Sequence, residues 1–441
     1  MDKKKITRRA FIAGTAAAAG CTTVPGRGSR GKRRTPPSAK LNIAGIGAGG
    51  RAETDLWAVR RQNVVALCDV DWARATKMFN AFPNAKKYKD FRVMLEKQKD
   101  IDAVVIATPD HIHAVAAMTA MQFGKHVFVE KPMAHSAYEA RMLAEAARNY
   151  KVATQMGNQG HSGSGVRVAC EIVWSGGIGP VREVHVWTNR PGWPQNITRP
   201  TETPPIPETL DWDLWLGPAP YRPYNPAYLP NRWRGWWDFG CGALGDMGCH
   251  ILDPPYWALK LGAPTSVEPV KLDGGNNETG PKSSIIRYDF PQRGEMVPVT
   301  LYWYDGGTMP PRPEGVGENE LLGDGDNGSI FIGDKGIMTT GCYGMNTRLL
   351  PESRMRDYEL PPETIPRSIG HTREWLAACK GEGTPGSNFD YAAPLSELVS
   401  LGNVALRARQ KIEWDAANMK VTNVPEANNY VCRDYREGWS L

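Results

Sequence analysis

The chain has 441 residues, which is enough for two domains that each bury a core. Its 41% hydrophobic and 23% charged residues are typical of a folded, water-soluble chain and exclude fibrous and disordered classes. The net charge of +6 arises from residues 1–40, which hold eleven Lys and Arg and one acid, so the other 401 residues carry −4. Because this larger part is mildly acidic, nucleic-acid binding loses its main electrostatic support.

Residues 1–40 have the pattern of an export signal followed by a disordered tether. The segment TRRAFI at 7–12 is a twin-arginine signature, and the apolar run after it is too short to span a bilayer. An amphipathic N-terminal helix is the alternative. The small residues before Cys21 resemble a lipoprotein cleavage site, which leaves a lipid anchor on that cysteine open. The sequence therefore predicts export by the twin-arginine route, to a periplasmic or lipid-anchored location.

The eight cysteines indicate neither a disulfide scaffold nor a metal site, since they are sparse and contain no CxxC pair. Cys241, Cys249 and His250 lie close in sequence, but no second cluster of ligands accompanies them, so we predict no metal. The segment DGDNG at 324–328 resembles a calcium loop. Lys335 stands where that loop needs a bidentate Glu, which favours a glycine-rich turn instead.

Residues 41–69 have the pattern of a dinucleotide-binding unit. A short apolar strand leads to GIGAGG at 45–50, then to a helix, and a second strand ends in Asp69. The glycines permit close approach of a pyrophosphate to the helix N-terminus, and the acid would accept hydrogen bonds from ribose hydroxyls. A tight turn without a ligand is the alternative. A carboxylate there repels a 2′-phosphate and favours NAD over NADP, although Arg74 could weaken that preference. The predicted cofactor contacts in this unit are Gly45, Gly47, Gly50, Arg51 and Asp69.

Three further apolar strands, at 101–107, 126–130 and 152–155, complete a predicted parallel sheet with helices between them. Ligands of such sheets bind beyond the carboxyl ends of the strands, so the loop TPDHIH at 108–113 should face the nicotinamide. For His111 and His113, packing at the start of the next helix is an equal alternative. This loop and the next strand end add the predicted cofactor contacts Thr108, Pro109, His113, Glu130 and Lys131.

Lys131, Asp246 and His250 carry the predicted chemistry. A lysine between an apolar strand and Pro132 is an unusual place for a surface cation, and it could stabilise a developing alkoxide. Asp246 and His250 are four residues apart, which on an α-helix puts them on one face. An imidazole with a pKa near 6.5 suits a base at neutral pH, and the carboxylate could orient it or hold a neighbouring hydroxyl. A buried histidine without catalytic function is the alternative.

The stretch from 187 to 237 holds seven Trp and eleven Pro and predicts a long ordered loop region. For most of these rings we favour packing onto the domain. Trp236 and Trp237 are the better candidates for stacking on the C–H faces of sugars. Asn and Gln amides suit vicinal hydroxyls, and Arg234 could contact substrate or pair with Asp238. The predicted substrate contacts are Lys131, Asn158, Gln159, His161, Arg234, Trp236, Trp237, Asp246 and His250.

Four motifs occur together: GIGAGGRA at 45–52, ATPDHIHA at 107–114, EKP at 130–132 and GDMGCHILD at 245–253. In this order and spacing the chain resembles the glucose–fructose oxidoreductase / inositol dehydrogenase / MocA family. The resemblance implies an α/β fold, with a doubly wound parallel Rossmann sheet followed by a domain on a large open, mostly antiparallel sheet. We place these domains at 41–157 and 158–441, after the signal and tether at 1–40. The resemblance also implies a Lys–Pro bond that is often cis, and homodimers or homotetramers.

We therefore expect an NAD(P)-dependent oxidoreductase, with NAD favoured, that acts on a secondary hydroxyl of a sugar, polyol or glycoside. Free NAD should be scarce outside the cytoplasm, so we expect a cofactor loaded before export and held tightly. A redox-neutral, NAD-dependent glycosidase is the first alternative, because transient oxidation, elimination, hydration and re-reduction would reset a locked cofactor. A non-catalytic sugar-binding protein on the same scaffold is the second alternative.

Overall fold

Six parallel strands that alternate with helices form the first sheet of the protein. The computed structural model describes residues 39–441, so the export signature and Cys21 lie outside the described residues. The sheet has the order β3-β2-β1-β4-β5-β6, which confirms the predicted doubly wound Rossmann arrangement. Its elements are β1 (Asn42–Ile46), α1 (Arg51–Ala58), β2 (Asn63–Cys68), α2 (Trp72–Ala81), β3 (Lys86–Tyr88), α3 (Phe91–Lys97), β4 (Ala103–Ile106), α4 (Asp110–Gln122), β5 (His126–Val129), α5 (Ala137–Tyr150) and β6 (Thr154–Met156).

Nine strands form the second sheet, in the order β13-β12-β11-β7-β10-β9-β8-β14-β15. Only β7 and β10 pair in parallel within it, so the sheet is mostly antiparallel, as predicted. Its elements and the helices around it are α6 (Ser164–Trp174), β7 (Val181–Thr188), α7 (Trp212–Leu216), a π-helix (Leu244–Gly248), α8 (Cys249–Ile251), α9 (Asp253–Ala258), β8 (Ser266–Gly274), β9 (Pro281–Phe290), β10 (Val299–Tyr304), β11 (Asn327–Gly333), β12 (Gly336–Thr340), β13 (Arg348–Leu350), α10 (Glu352–Arg356), α11 (His371–Cys379), α12 (Phe389–Ala408), β14 (Ile412–Asp415), β15 (Lys420–Val421) and α13 (Asn428–Val431).

Local sequence explains several of these elements. The central strands β1, β4 and β5 are short apolar runs because helices cover both faces of a parallel sheet. Helix α5 begins with a capping box, in which the Ser136 side chain accepts from the Glu139 amide and the Glu139 side chain accepts from the Ser136 amide. Among residues 39–441, no helix is both long enough and apolar enough to cross a bilayer.

Helix α12 connects the two sheets, because it packs on α5 and β6 of the first half and on β8 and the π-helix of the second. Glycines allow these close contacts. A Cβ on Gly402 would lie 2.1 Å from the Tyr288 hydroxyl, and one on Gly248 would lie 2.8 Å from Val399. The π-helix is therefore held between the two halves of the protein.

The structure differs from the sequence prediction at this segment. Asp246 and His250 do not share a regular α-helix, since residues 244–248 form a π-helix and α8 begins only at Cys249. The wider π turn changes which residues face the same way, and such turns are frequent at functional sites. The Trp-rich region, by contrast, has the predicted character: short helices and turns that pack as an aromatic cluster around Trp212, Trp215 and Trp236.

Candidate active site

The glycine-rich loop between β1 and α1 forms a cradle open to a phosphate-bearing ligand. Gly47 has φ +87°, and a Cβ there would lie 2.7 Å from the Ala107 carbonyl oxygen. Gly50 has φ +64°, and a Cβ there would lie 2.5 Å from a guanidinium nitrogen of Arg74. Gly45 allows close packing instead, because a side chain there would collide with Leu56 of α1 and Leu67 of β2. The positive φ values and the close neighbours explain why glycine stands at these positions, as in the tight turn of a dinucleotide-binding loop.

A cleft of about 200 Å³ extends from this loop along the carboxyl edge of the first sheet. The Thr108 hydroxyl oxygen in the wall of this cleft is buried and has no hydrogen-bond partner among the described residues. A glycine cradle and an orphaned hydroxyl both fit NAD, so the residues present are compatible with that cofactor. Both halves line the cleft, and the residues that the second half contributes are Leu210, Leu214, Trp215, Leu229, Pro230, Asn231, Trp233, Arg234 and Trp439.

Asp69 lies in the same cleft, at the end of β2. Its two carboxylate oxygens accept from the amides of Ala48, at 2.7 Å, and Asp71, at 2.9 Å. Burial raises the pKa of Asp69, and the two amides offset part of that effect. The carboxylate thus fixes the glycine-rich loop and retains free lone pairs for ribose hydroxyls.

Thr108 and Pro109 line the cleft, whereas the two histidines of the following helix do not. The imidazole of His113 lies between the carbonyls of Thr108, at 2.9 Å, and Pro132, at 2.7 Å. His111 is fully buried, its ring nitrogens face the carbonyls of Trp215 and Phe239, and burial lowers its pKa to about 3. Their contacts support the packing role, with His113 fixing the loop that carries Thr108.

Arg51, Asp55 and Glu130 form an ion-paired cluster next to Lys131, in which the two acids are buried and Arg51 is exposed. Nε of Arg51 donates to Glu130 at 2.8 Å, and its guanidinium is 3.0 Å from Asp55. Burial and the Glu130 carboxylate raise the pKa of Asp55 to about 8. The other oxygen of Glu130 accepts from the Lys131 amide at 3.2 Å. This cluster fixes the strand end from which Lys131 projects, and the Lys131–Pro132 bond is cis, as the resemblance implied.

The Lys131 ammonium reaches across to the π-helix. Nζ donates to the Asp246 carbonyl at 2.5 Å and to its carboxylate at 3.2 Å. The same carboxylate accepts from Nε of Arg234 at 3.1 Å and lies 3.6 Å from Nε of Arg190. Burial alone would raise the pKa of Asp246, but the Lys131 and Arg234 cations outweigh it and hold that pKa at about 2. Asp246 is therefore a permanent anion that positions Lys131.

His250 is buried beside this pair, and its ring packs edge-on against Tyr343 with the centroids 4.6 Å apart. Its Nδ1 is buried without a hydrogen-bond partner in residues 39–441. Burial and the Lys131 cation lower the pKa of His250 well below its usual value. The imidazole is consequently neutral at physiological pH and able to accept a proton.

Two of the predicted substrate amides have unused atoms. Asn158 is buried, its carbonyl oxygen accepts from the Ser387 hydroxyl, and its Nδ2 has no partner within the described chain. Oε1 of Gln159 is likewise buried without a donor. The adjacent Gly160 packs on the backbone of Tyr343, which connects this turn to His250. A hydroxyl-bearing ligand could satisfy both amide atoms.

The other predicted substrate contacts have internal partners. His161 lies 3.0 Å from Asp253 and stacks on Trp257 at 4.5 Å. Trp236 and Trp237 are almost fully buried, and their indole N–H groups donate to the carbonyls of Ala227 and Asn276. These contacts support packing roles, and we leave the three rings out of the substrate site proposed below.

The alternative pairing of Arg234 with Asp238 is wrong, because the structure gives each of them another partner. Asp238 binds the buried Arg222, and Arg234 binds Asp246. Sequence reasoning also missed Tyr343 and Arg190, which lie beside His250 and Asp246 respectively. In the sequence, Tyr343 is marked only by its position before Gly344. In the structure, it adopts a φ of +62°. A positive φ at a bulky residue is an uncommon strain, and such strain clusters at functional sites.

Comparisons with known proteins identify the family of this chain. Residues 40–158 match the model of an oxidoreductase family with an NAD-binding Rossmann fold, and residues 187–288 match the C-terminal alpha/beta domain of the same family. Inositol 2-dehydrogenase from Salmonella typhimurium is 33% identical over 150 residues, which are 33% of this chain and 44% of that protein. Levoglucosan dehydrogenase from Pseudarthrobacter phenanthrenivorans is 26% identical over 226 residues, 48% of this chain and 50% of that protein. The chain thus spans half or less of the length of these curated relatives.

Solved structures resemble the fold over a longer range. The WlbA dehydrogenase from Bordetella pertussis, in complex with NADH and UDP-GlcNAcA, matches with a TM-score of 0.59 at 18% identity, over 85% of this chain and 99% of that chain. A levoglucosan dehydrogenase in complex with NADH and levoglucosan matches with a TM-score of 0.55 at 16% identity, over the same shares. At such identities the likeness shows the fold alone. With both family domains matched in order, the chain belongs to the glucose–fructose oxidoreductase / inositol dehydrogenase / MocA oxidoreductase family.

Proposed function

We propose that this protein oxidises a secondary hydroxyl of a sugar, polyol or glycoside, with NAD as the hydride acceptor. The observation that carries the proposal is the group of Lys131, Asp246 and His250, which is connected to the cleft through Arg234. Lys131 is hydrogen-bonded to an ionised Asp246, and the neutral imidazole of His250 lies beside them. An ammonium and a neutral base at one place are what removal of a hydroxyl proton needs.

The residues that would hold NAD are those of the glycine cradle and its surroundings. Gly47 and Gly50 would admit the pyrophosphate to the N-terminus of α1, and Asp69 would accept from the ribose. Thr108 would offer its free hydroxyl, and Arg51 lines the same wall. When bound, NAD supplies a hydride acceptor.

The chain's own residues would handle the proton. His250 accepts it from the substrate hydroxyl, because burial keeps the imidazole neutral and basic lone pairs available. Lys131 donates a hydrogen bond to the same oxygen and stabilises its growing negative charge. Asp246 fixes the Lys131 ammonium through two hydrogen bonds. The free amide atoms of Asn158 and Gln159 would bind further hydroxyls.

A redox-neutral glycosidase is the second candidate, and the contribution of the second half to the cleft favours it. Trp233, Leu210 and Trp439 line the cleft together with the Rossmann residues, so a bound cofactor would contact both halves. A cofactor held by both halves would exchange slowly, and a cycle that restores it within one turnover would suit such a protein. Tight binding is therefore part of the proposal, with NAD preferred over NADP because Asp69 lines the cleft.

The test begins with purified, leader-processed protein and a panel of sugars, polyols and glycosides. NADH formation is recorded together with mass-spectrometric identification of the products. Lys131→Met and His250→Asn should each lower turnover by about 10²–10⁴-fold, while Lys77→Met, at an exposed site on α2, should have no effect. Net NADH identifies a dehydrogenase, and released sugar without net NADH identifies the glycosidase. If Lys131→Met and His250→Asn turned over like the wild type, these residues would not be catalytic; saturable sugar binding by a wild type without any turnover would identify a binding protein instead.

The sequence supports further proposals about location and assembly. The twin-arginine signature at 7–12 supports export, and Cys21 supports a lipid tether. Family membership supports a homodimer or homotetramer. Cell fractionation, mass spectrometry of the mature N-terminus and light scattering of the purified protein test these three points in turn.

A further inference from the structure

The side chains around Asp246 carry more positive than negative charge. Lys131, Arg190 and Arg234 all direct a cationic nitrogen at this single carboxylate, at 3.2, 3.6 and 3.1 Å. One carboxylate can neutralise only one of the three. The surroundings of Asp246 therefore carry a net positive charge. Because these side chains are partly buried, water and salt screen that charge poorly.

Neighbouring acids do not remove this excess. Asp110 is close enough for Lys131 and Arg234 to influence it, but it is buried, which raises its pKa, and it accepts from the Cys241 amide at 3.0 Å. Even if Asp110 is ionised, three cations face two carboxylates. The Arg51 cation is separately matched, because its guanidinium pairs with Glu130 at 2.8 Å and with Asp55 at 3.0 Å. At least one positive charge is left unmatched.

The two arginines also have unused donors. Nε of Arg234 binds Asp246, but its terminal nitrogens make no hydrogen bond within residues 39–441, and the guanidinium lies 4.3 Å from the Trp233 ring. Arg190 uses one terminal nitrogen on Asn189 at 2.7 Å and leaves the other without a partner in the described chain. Arg190 is absent from the lining of the nucleotide cleft. A stacked, planar guanidinium with free donors is well suited to a carboxylate.

We propose that the substrate is a sugar acid, whose carboxylate is bound by Arg190 and Arg234 while its reacting hydroxyl lies at Lys131 and His250. This inference rests on the proposed oxidoreductase function and narrows its substrate class. A monoanion matches an excess of one charge, whereas a sugar phosphate carries nearly two negative charges at neutral pH. Placing the carboxylate on the arginines leaves Lys131 free to serve the hydroxyl.

The test compares substrates that differ only in this charge. Turnover with NAD is measured on matched pairs, such as galacturonate with galactose and methyl glucuronide with methyl glucoside, with galactose 6-phosphate as the dianionic probe. Wild-type kcat/KM should be at least tenfold higher for the acid of each pair. Arg190→Gln should lower this acid-to-neutral ratio by at least tenfold, and Arg190→Lys should restore part of it. Arg182→Gln, which removes an exposed arginine paired with Asp334 on the second sheet, is the matched control and should leave the ratio unchanged.

The outcomes separate this inference from the function on which it rests. Lys131-dependent turnover that favours neutral sugars, or the phosphate, would overturn the sugar-acid assignment and leave the proposed function standing. Binding of the wild-type holoprotein to each probe is measured by tryptophan fluorescence. Saturable binding of the acid alone, without any turnover, would support the anion site and overturn the oxidoreductase function. If an Arg190 variant fails to fold, as judged by circular dichroism, the wild-type ratio alone decides.

Discussion

The roles that we propose for single residues in this site depend on their protonation states, which burial and neighbouring charges set. Asp246 and His250 are both buried, but their environments act in opposite directions. Two cations keep Asp246 ionised, with a pKa of about 2, while burial and one of the same cations keep His250 neutral. The pair is thus divided into a fixed anion that holds Lys131 and a neutral base that can accept a proton.

The depressed pKa of His250 predicts the pH dependence of activity. A group with a pKa below 6.5 stays in its basic form as the pH falls through 6.5 and is lost as a base only at lower pH. We expect kcat/KM for a neutral substrate to be level from pH 8 to pH 6 and to decline only below that. A pH–rate profile between pH 4.5 and 8, with the folded state checked at each pH, measures this. A decline centred at or above pH 6.5 would contradict the assignment of His250 as the base.

At the scale of elements, the site depends on one irregular helix held by a regular one. The π-helix brings Asp246 to Lys131, and α12 supports it from behind through Gly248 and Gly402. Neither glycine lies in a turn or has a positive φ, so both are explained by close packing and not by backbone freedom.

Substitution of Gly402 tests this packing. Alanine normally stabilises a helix interior by about 1 kcal/mol relative to glycine. Here the added methyl group would lie 2.1 Å from the Tyr288 hydroxyl and 2.6 Å from Leu244. We expect Gly402→Ala to lower the free energy of unfolding by about 1–3 kcal/mol, as overpacking does. Urea unfolding measures the change, with Gly317→Ala as the control because its nearest neighbour would be 3.7 Å away. An increase in stability would show that α12 and the π-helix are not in tight contact.

At the scale of the whole molecule, the cofactor cleft is completed by distant parts of the chain. The C-terminal segment returns to the Rossmann half, where the Arg92 guanidinium lies 4.1 Å from the Trp439 ring and Phe91 packs beside it. Arg436 binds Asp213 and the Gly217 carbonyl, which connects this segment to the Trp-rich region. Three separate stretches of sequence therefore contribute to the wall of the cleft and contact one another.

Removal of the Trp439 ring should weaken the binding of NAD along this wall. We expect Trp439→Ala to increase the dissociation rate of NAD about tenfold, because an aromatic wall contributes on the order of 1 kcal/mol. Stopped-flow fluorescence or retention of nucleotide through gel filtration measures the rate. Trp174→Ala, which removes a half-exposed indole on α6, is the control. An unchanged rate would mean that the C-terminal segment does not retain the cofactor.

The sequence by itself determined the fold class, the glycine cradle with Asp69, and the set of Lys131, Asp246 and His250. These features are local, since strand and helix periods, a glycine spacing and short motifs are all contained within a few residues. Only the tertiary structure decided which groups face each other. It paired Asp246 with Lys131 and Arg234, brought Arg190 and Tyr343 to the site, buried Trp236 and Trp237, and placed Trp439 in the wall of the cleft. Those contacts join residues tens to hundreds of positions apart, and no local pattern of the chain encodes them because they arise only when the two sheets pack around α12.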